Sequence, residues 1–154
     1  MKRQLEIFID GACHGNPGEG AVGVVLLEHG KTVKEISAAI GRVTNNVAEY
    51  QALITAMKEA AQLNAQELKI NTDSELLYKQ VTGQYQLKNE NLKILFDEVA
   101  ELSKEFQHIE IKRIPREENK VADGLAEKAL KNKKAKVIAP LFKTSGEESP
   151  SSKG

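Results

Sequence analysis

Two apolar runs, "LEIFID" at residues 5–10 and "LKINTD" at residues 68–73, carry the same residues at the same spacing. Leu5, Ile7 and Asp10 in the first match Leu68, Ile70 and Asp73 in the second. Side chains alternate across a β-strand, so matched leucines and isoleucines ask to be buried on one face. If the two runs are strands of one sheet pointing the same way, their final aspartates lie side by side. That requirement excludes helical bundles and directs the chain toward a sheet that delivers two carboxylates to one edge.

The rest of the sequence supports such a sheet. Residues 4–10 read as a strand, and after the turn-rich "GACHGNPGEG" the almost wholly apolar "AVGVVLLE" reads as a buried one. "HGK" is a hairpin turn into a third strand, "TVKEISAAIG". "TNNVAEYQALITAMKEAAQLNA" is a helix that Thr44 or Asn45 can cap. "ELKINTD" is a fourth strand, "SELLYKQVTG" a short helix stopped by Gly83, and "ENLKILFDEVAELSKEF" a longer amphipathic helix. "HIEIKRI" alternates like a fifth strand, "PREEN" is a loop and "KVADGLAEKALKN" is a last helix. The order predicts an α/β domain, a mixed sheet with helices on its faces.

Length and composition bound the partners. At 154 residues the chain suits one domain, expected over residues 1–131. Residues 132–154, basic and then rich in Ser, Gly and Glu, are expected to form a largely flexible tail. Lys plus Arg total 22 and Asp plus Glu total 22, so any basic surface must be local. The single cysteine, Cys13, excludes an intrachain disulfide. No signal-like apolar region follows the Met-Lys-Arg start and no run reaches membrane-spanning length. A cytoplasmic monomer with no membrane or protein partner is the expectation.

Two carboxylates beyond the strand ends lie among apolar residues of helices. At about 100° per residue, one arc of the first helix holds Gln51, Thr55, Lys58, Glu59 and Gln62. The opposite arc holds Ala52, Leu53, Ala56, Met57, Ala60 and Leu63, with Glu49 as its one charge. A buried carboxylate is costly unless paired or metal-bound. Asp123 lies in the first turn of a helix whose Val121, Ala122, Leu125, Ala126 and Ala129 are apolar. Any one of these has a structural explanation, a salt bridge for Glu49 or a favourable helix end for Asp123. Four carboxylates converging would repel, and hard divalent cations remove that problem. An all-oxygen shell points to Mg²⁺ or Mn²⁺, and two such ions about 4 Å apart suit phosphodiester cleavage.

"GEGAVG", Gly18–Gly23, fits a dinucleotide-binding glycine pattern, but the residues after it read as a strand where that motif needs a helix. His14, His29 and His108 show no zinc-ligand spacing.

In order, "DGACHGNPGEGAVGVVL", "TNNVAEYQALITAM", "TDSELL" and "REENKVADGLA" resemble the successive motifs of type 1 ribonuclease H, from about residue 4 to residue 131. The resemblance implies a ribonuclease H-like fold, a five-stranded mixed sheet flanked by helices. It implies an endoribonuclease that cuts the RNA strand of an RNA/DNA hybrid with two Mg²⁺ ions, Mn²⁺ being a substitute, and leaves 5′-phosphate and 3′-hydroxyl ends. A catalytically weak hybrid-binding module of the same fold is the alternative. Carried across, Asp10 bridges both ions, Glu49 and Asp73 complete one shell, and Asp123 holds the ion that activates water.

The resemblance also assigns hybrid contacts to Asn16, Thr44, Asn45, Asn46 and the backbone of Gly11 and Cys13, with helix capping an alternative for Thr44 and Asn45. Relatives often carry a histidine in the loop before the last helix; Arg113 occupies the nearest position here and is assigned an accessory role in product release. The segment "GQYQLKNENL" resembles the branch of the family without a basic handle, where the Tyr85, Lys88 and Asn89 region touches the DNA strand, with packing over the adjoining helix an alternative for Tyr85. Lys128, Lys131, Lys133, Lys134, Lys136 and Lys143 form a basic stretch that reads first as a solvated helix end and tail.

Overall fold

A computed structural model describes residues 2–132. The tail beyond, including Lys133, Lys134, Lys136, Lys143 and "VIAPLF", lies outside the described residues. The chain runs β1 (Gln4–Gly15), β2 (Gly18–Glu28), β3 (Lys31–Val43), α1 (Asn45–Gln62), β4 (Glu67–Thr72) and α2 (Glu75–Val81). It continues through α3 (Glu90–Ser103), β5 (His108–Arg113), a short 3₁₀ turn at Arg116–Glu118, and α4 (Lys120–Lys131). One five-stranded sheet has the order β3-β2-β1-β4-β5. Its β1–β2 and β2–β3 pairs are antiparallel, while β1–β4 and β4–β5 are parallel. The sheet is therefore mixed, as the element order predicts.

The repeated Leu-x-Ile spacing sets the central register. Leu5 pairs with Leu68 and Ile7 with Ile70, and all four side chains are essentially buried. Each such side chain contributes roughly 1.5–3 kcal/mol through burial. The His29–Gly30 turn joins β2 to β3, both residues having positive φ as a two-residue hairpin turn of this hand requires. Thr44 caps α1 by accepting from the Val47 amide, and α2 ends just before Gly83, whose φ is +83°.

β1 is longer than the sequence predicts. The glycine-rich segment after Asp10 stays in the sheet to Gly15, and only Asn16 and Pro17 form the turn. Gly15, with φ +88°, serves the chain reversal, whereas Gly11 and, farther on in β2, Gly23 serve close approach. A Cβ on Gly11 would collide with the backbone carbonyl of Ala48 in α1. One on Gly23 would collide with the backbone of Ala122 in α4. Asp10 pairs with Gly23 and Gly11 with Val22, so the two glycines point to opposite faces. Helix α1 thus lies on one face and α4 on the other. Burial from both sides explains why residues 21–26 of β2 are apolar without alternation.

The polar arc of α1 does not all face solvent. Gln51 and Thr55 are buried, because α3 packs outside α1 as the sheet packs inside it. Thr55 Oγ1 donates back to the Gln51 carbonyl at 2.7 Å. Lys58 meets Glu98 of α3 at 3.2 Å, and Lys34 of β3 ion-pairs with Glu59. On α4, Val121 is exposed although its neighbour Ala122 is fully buried.

Gly11→Ala tests the α1 contact. It should cost roughly 1–3 kcal/mol by overpacking, lowering Tm by roughly 3–10 °C in thermal unfolding followed by circular dichroism. An unchanged Tm would mean that α1 does not rest on β1 at this point.

Candidate active site

Ile9 and Thr72 are the last pair of the parallel β1–β4 ladder. Asp10 and Asp73 are the next residues along, so the equal spacing in sequence becomes adjacency in space. Asp10 does not end its strand, as the sequence reading has it. It stands where β1 loses β4 as a partner but continues against β2. Glu49 enters from the first turns of α1, its Oε1 accepting from the Gly11 amide at 3.1 Å. The absent Gly11 side chain is what lets this helix come close enough.

Ligand oxygens of Asp10, Glu49 and Asp73 lie within 4.8 Å of one another. Asp10 and Glu49 are buried and Asp73 is partly exposed. Asp123, in the first turn of α4, faces Asp10 closely enough to share a hydrogen with it. The three closest carboxylates are the group within metal-ligand reach, with Asp123 beside them. All four predicted acids therefore meet at one end of the sheet.

The electrostatics are those of a site waiting for positive charge. Burial, then the charges of Asp73 and Asp123 together with the Asp123 hydrogen bond, push Asp10 up to about 8. Burial above all, and then the Asp10 charge, push Glu49 well above the usual carboxylate range, against the lowering effect of the Gly11 hydrogen bond. No lysine or arginine ion-pairs with Asp10, Glu49 or Asp73 among the described residues. The donor set is all oxygen and of high negative charge, which fits a hard divalent cation. His14, His29 and His108 take no part in the carboxylate group. "GEGAVG" lies within strand β2, which removes the dinucleotide reading.

Two residues of the loop before α4 escape sequence reasoning. Arg116 Nη2 stands 3.8 Å from Asp123 Oδ1, and its charge lowers both Asp10 and Glu49. Arg113, exposed at the end of β5, instead acts on Glu75 at the start of α2. Asn119 is buried and donates from Nδ2 to the Ile9 carbonyl at 2.9 Å and to Asp73 Oδ2 at 3.4 Å. Only the chain's path from β5 to α4 brings these two side chains to the acids, so no spacing rule marks them.

The expected hybrid contacts divide into two places. Asn16, Thr44 and Asn45 are exposed where the β1–β2 turn meets the start of α1, and the Asn45 amide donates to Asn16 Oδ1 at 2.9 Å. Cys13 lies beside Asn45 at 4.0 Å, and Asn46 Oδ1 is buried without a protein partner. Tyr85, Lys88 and Asn89 are exposed in the α2–α3 connection, away from the carboxylates in sequence. Lys79 Nζ sits 5.1 Å from the centre of the Tyr85 ring, and Asn89 caps α3.

The fold and the site define a ribonuclease H-like α/β domain with a carboxylate centre suited to hard cations. Comparison with known proteins narrows this. Residues 8–129 match the family described as Reverse transcriptase-like. The chain is 36% identical over 155 residues to "Bifunctional protein Rv2228c" of Mycobacterium tuberculosis, which covers 98% of this chain and 43% of that protein. It is thus similar to less than half of the length of those mycobacterial relatives. RNase H1 from the halophilic archaeon Halobacterium salinarum superposes with a TM-score of 0.81 at 40% identity, over 83% of this chain and 98% of that one. LC11-RNase H1, solved in complex with an RNA/DNA hybrid, superposes with a TM-score of 0.79 at 38% identity, over 82% of this chain and 96% of that one. The chain belongs to the ribonuclease H family. Among the described residues, no helix is long and apolar enough to cross a membrane.

Proposed function

We propose that this protein is an endoribonuclease that hydrolyses the RNA strand of RNA/DNA hybrids with two divalent cations, Mg²⁺ or in its place Mn²⁺. The observation that carries the reading is the meeting of Asp10, Glu49 and Asp73 within 4.8 Å, with Asp123 beside Asp10 and little counter-charge. The hybrid-bound LC11-RNase H1 relative supports the substrate class. Asp10, Glu49 and Asp73, with Asp123 beside Asp10, would hold the ions. When bound, such ions supply charge that offsets the phosphate and lower the pKa of the attacking water. Water adds to phosphorus and the bond to the 3′ oxygen breaks, leaving 5′-phosphate and 3′-hydroxyl ends.

The polypeptide's own work is placement. Asn16, Thr44, Asn45 and Asn46 offer short hydrogen-bonding groups to 2′-hydroxyls and base edges, with the backbone of Gly11 and Cys13 nearby. Tyr85, Lys88 and Asn89 form a separate exposed surface for the DNA strand. Thr44 and Asn89 already cap helices, so they keep their loops rigid whatever else they touch. Arg116 is poised to meet a phosphate next to Asp123, and Arg113 stands farther out as an accessory charge.

A hybrid, a DNA duplex and an RNA duplex of one sequence, each end-labelled in turn, test this. Cutting confined to the RNA strand of the hybrid, with 5′-phosphate products, is expected. Equal cutting of all three would overturn the substrate assignment, and tight hybrid binding without cutting would favour a binding module. Arg116→Ala should slow turnover on the hybrid roughly 10–100-fold, as loss of a charge-assisted phosphate contact of about 1.5–3 kcal/mol implies. Arg113→Ala should slow it less and leave Mn²⁺ binding intact; the opposite ranking in steady-state assays would move the phosphate contact to Arg113.

A further inference from the structure

Asn119 touches or anchors three of the four elements that carry the acids. Its amide reaches the Ile9 carbonyl, one residue before Asp10, at 2.9 Å, and the Asp73 carboxylate at 3.4 Å. Its own backbone carbonyl accepts from the Asp123 amide at 3.0 Å, the first hydrogen bond of α4. The residue is 1% exposed, at the point where the β1–β4 ladder runs out. Its orientation is dictated by chemistry, because both Ile9 and Asp73 present only acceptors and the amide must offer its NH₂.

A merely structural asparagine would look different. Before α4 the natural job is helix capping, yet the Asn119 side chain makes no capping bond. Its Oδ1 is buried without a protein partner, an arrangement that ordinarily costs stability. A position selected for stability would avoid that vacancy, whereas one selected to hold two hydrogens between β1 and Asp73 tolerates it.

We infer that Asn119 is a positioning residue: its side-chain amide sets the distance from Asp10 to Asp73, and its backbone ties Asp123 to the same point. This rests on the metal-dependent reading of the site. Each acid approaches from a different element, so without the shared anchor their spacing is free to change with small shifts of β4 or α4. Outer-shell partners of this kind change metal affinity or activity by roughly 10–100-fold.

The test is direct Mn²⁺ binding to the full chain without nucleic acid, by electron paramagnetic resonance, alongside thermal unfolding in chelator. Asn119→Ala should weaken Mn²⁺ binding at least tenfold. Ile70→Val, a core substitution remote in role, should leave binding within twofold while lowering Tm. Asn119→Ser supplies a second route, because its hydroxyl has one hydrogen where the amide has two. Its shorter hydroxyl stops short of both acceptors but leaves a polar group and room for a water, which favours folding, and the loss of Mn²⁺ affinity should remain. Mn²⁺ affinity equal to wild type in whichever Asn119 variant folds would overturn the inference and leave a structural residue. A wild type that binds no Mn²⁺ would overturn it too. A wild type that binds Mn²⁺ but cuts no hybrid would refute the hydrolase reading alone.

Discussion

Asp10→Asn should abolish hybrid cleavage and, in the same protein, raise the stability of the metal-free fold. The two effects have one origin. Asp10 is buried against Asp73 and Asp123, and its carboxyl is pushed up to about 8. At pH 9 without metal it must carry a charge that its surroundings disfavour. Asparagine keeps the shape and removes the charge, which should stabilise the fold by roughly 2–4 kcal/mol, about 5–15 °C in Tm. On the proposed reading, removing Asp10 takes away a central cation ligand, and several kcal/mol of transition-state stabilisation should go with it, on the order of 10³-fold in rate. Scanning calorimetry in chelator and a hybrid cleavage assay on the same preparation read both. A destabilised variant would show that Asp10 has a structural partner instead of repelling neighbours.

The second large effect is the loss of a pH dependence when metal binds. Between the ordinary aspartate value of 3.8 and about 8, folded Asp10 holds a proton that the unfolded chain has released. Glu49 is shifted in the same direction by burial and by the Asp10 charge. Because the folded state binds more protons in this window, metal-free stability is full near pH 4 as far as these groups decide it. It is lost as pH rises toward about 8. Saturating Mg²⁺ should remove the trend, since the bound ligands are deprotonated like those of the unfolded chain and folding then takes up no proton. Tm in chelator should therefore fall between pH 6 and pH 9 while Tm with Mg²⁺ stays nearly level, so that the gap between them widens. Parallel pH curves in the two conditions would mean that cations do not bind at these acids.

The sequence reveals these acids for particular reasons. Parallel pairing preserves spacing, so Leu5, Ile7 and Asp10 could be laid directly on Leu68, Ile70 and Asp73. Glu49 shows itself because a helix converts position into angle, and a charge among alanines and leucines needs an explanation. What one dimension hides is the contact between elements. Gly11 looks like a turn residue and Gly23 like a gap in a strand in a list of letters, yet their role is to let α1 and α4 touch the sheet. Gln51 and Thr55 look solvent-facing because the pattern cannot show that α3 covers α1. Arg116 and Asn119 sit in a stretch that reads only as a polar loop, and their importance arises from the return of α4 toward β1. The acids are legible from local order; the groups that hold them in place are not.

Cleavage of an RNA/DNA hybrid, labelled in the RNA strand and then in the DNA strand, tests the central claim most directly when run with Mg²⁺, with Mn²⁺ and with chelator. The RNA strand alone should be cut, only when a cation is present, and Asp10→Asn should remove the activity. Cutting that survives chelator or persists undiminished in Asp10→Asn would contradict it, because the carboxylate centre would then not be where the reaction occurs.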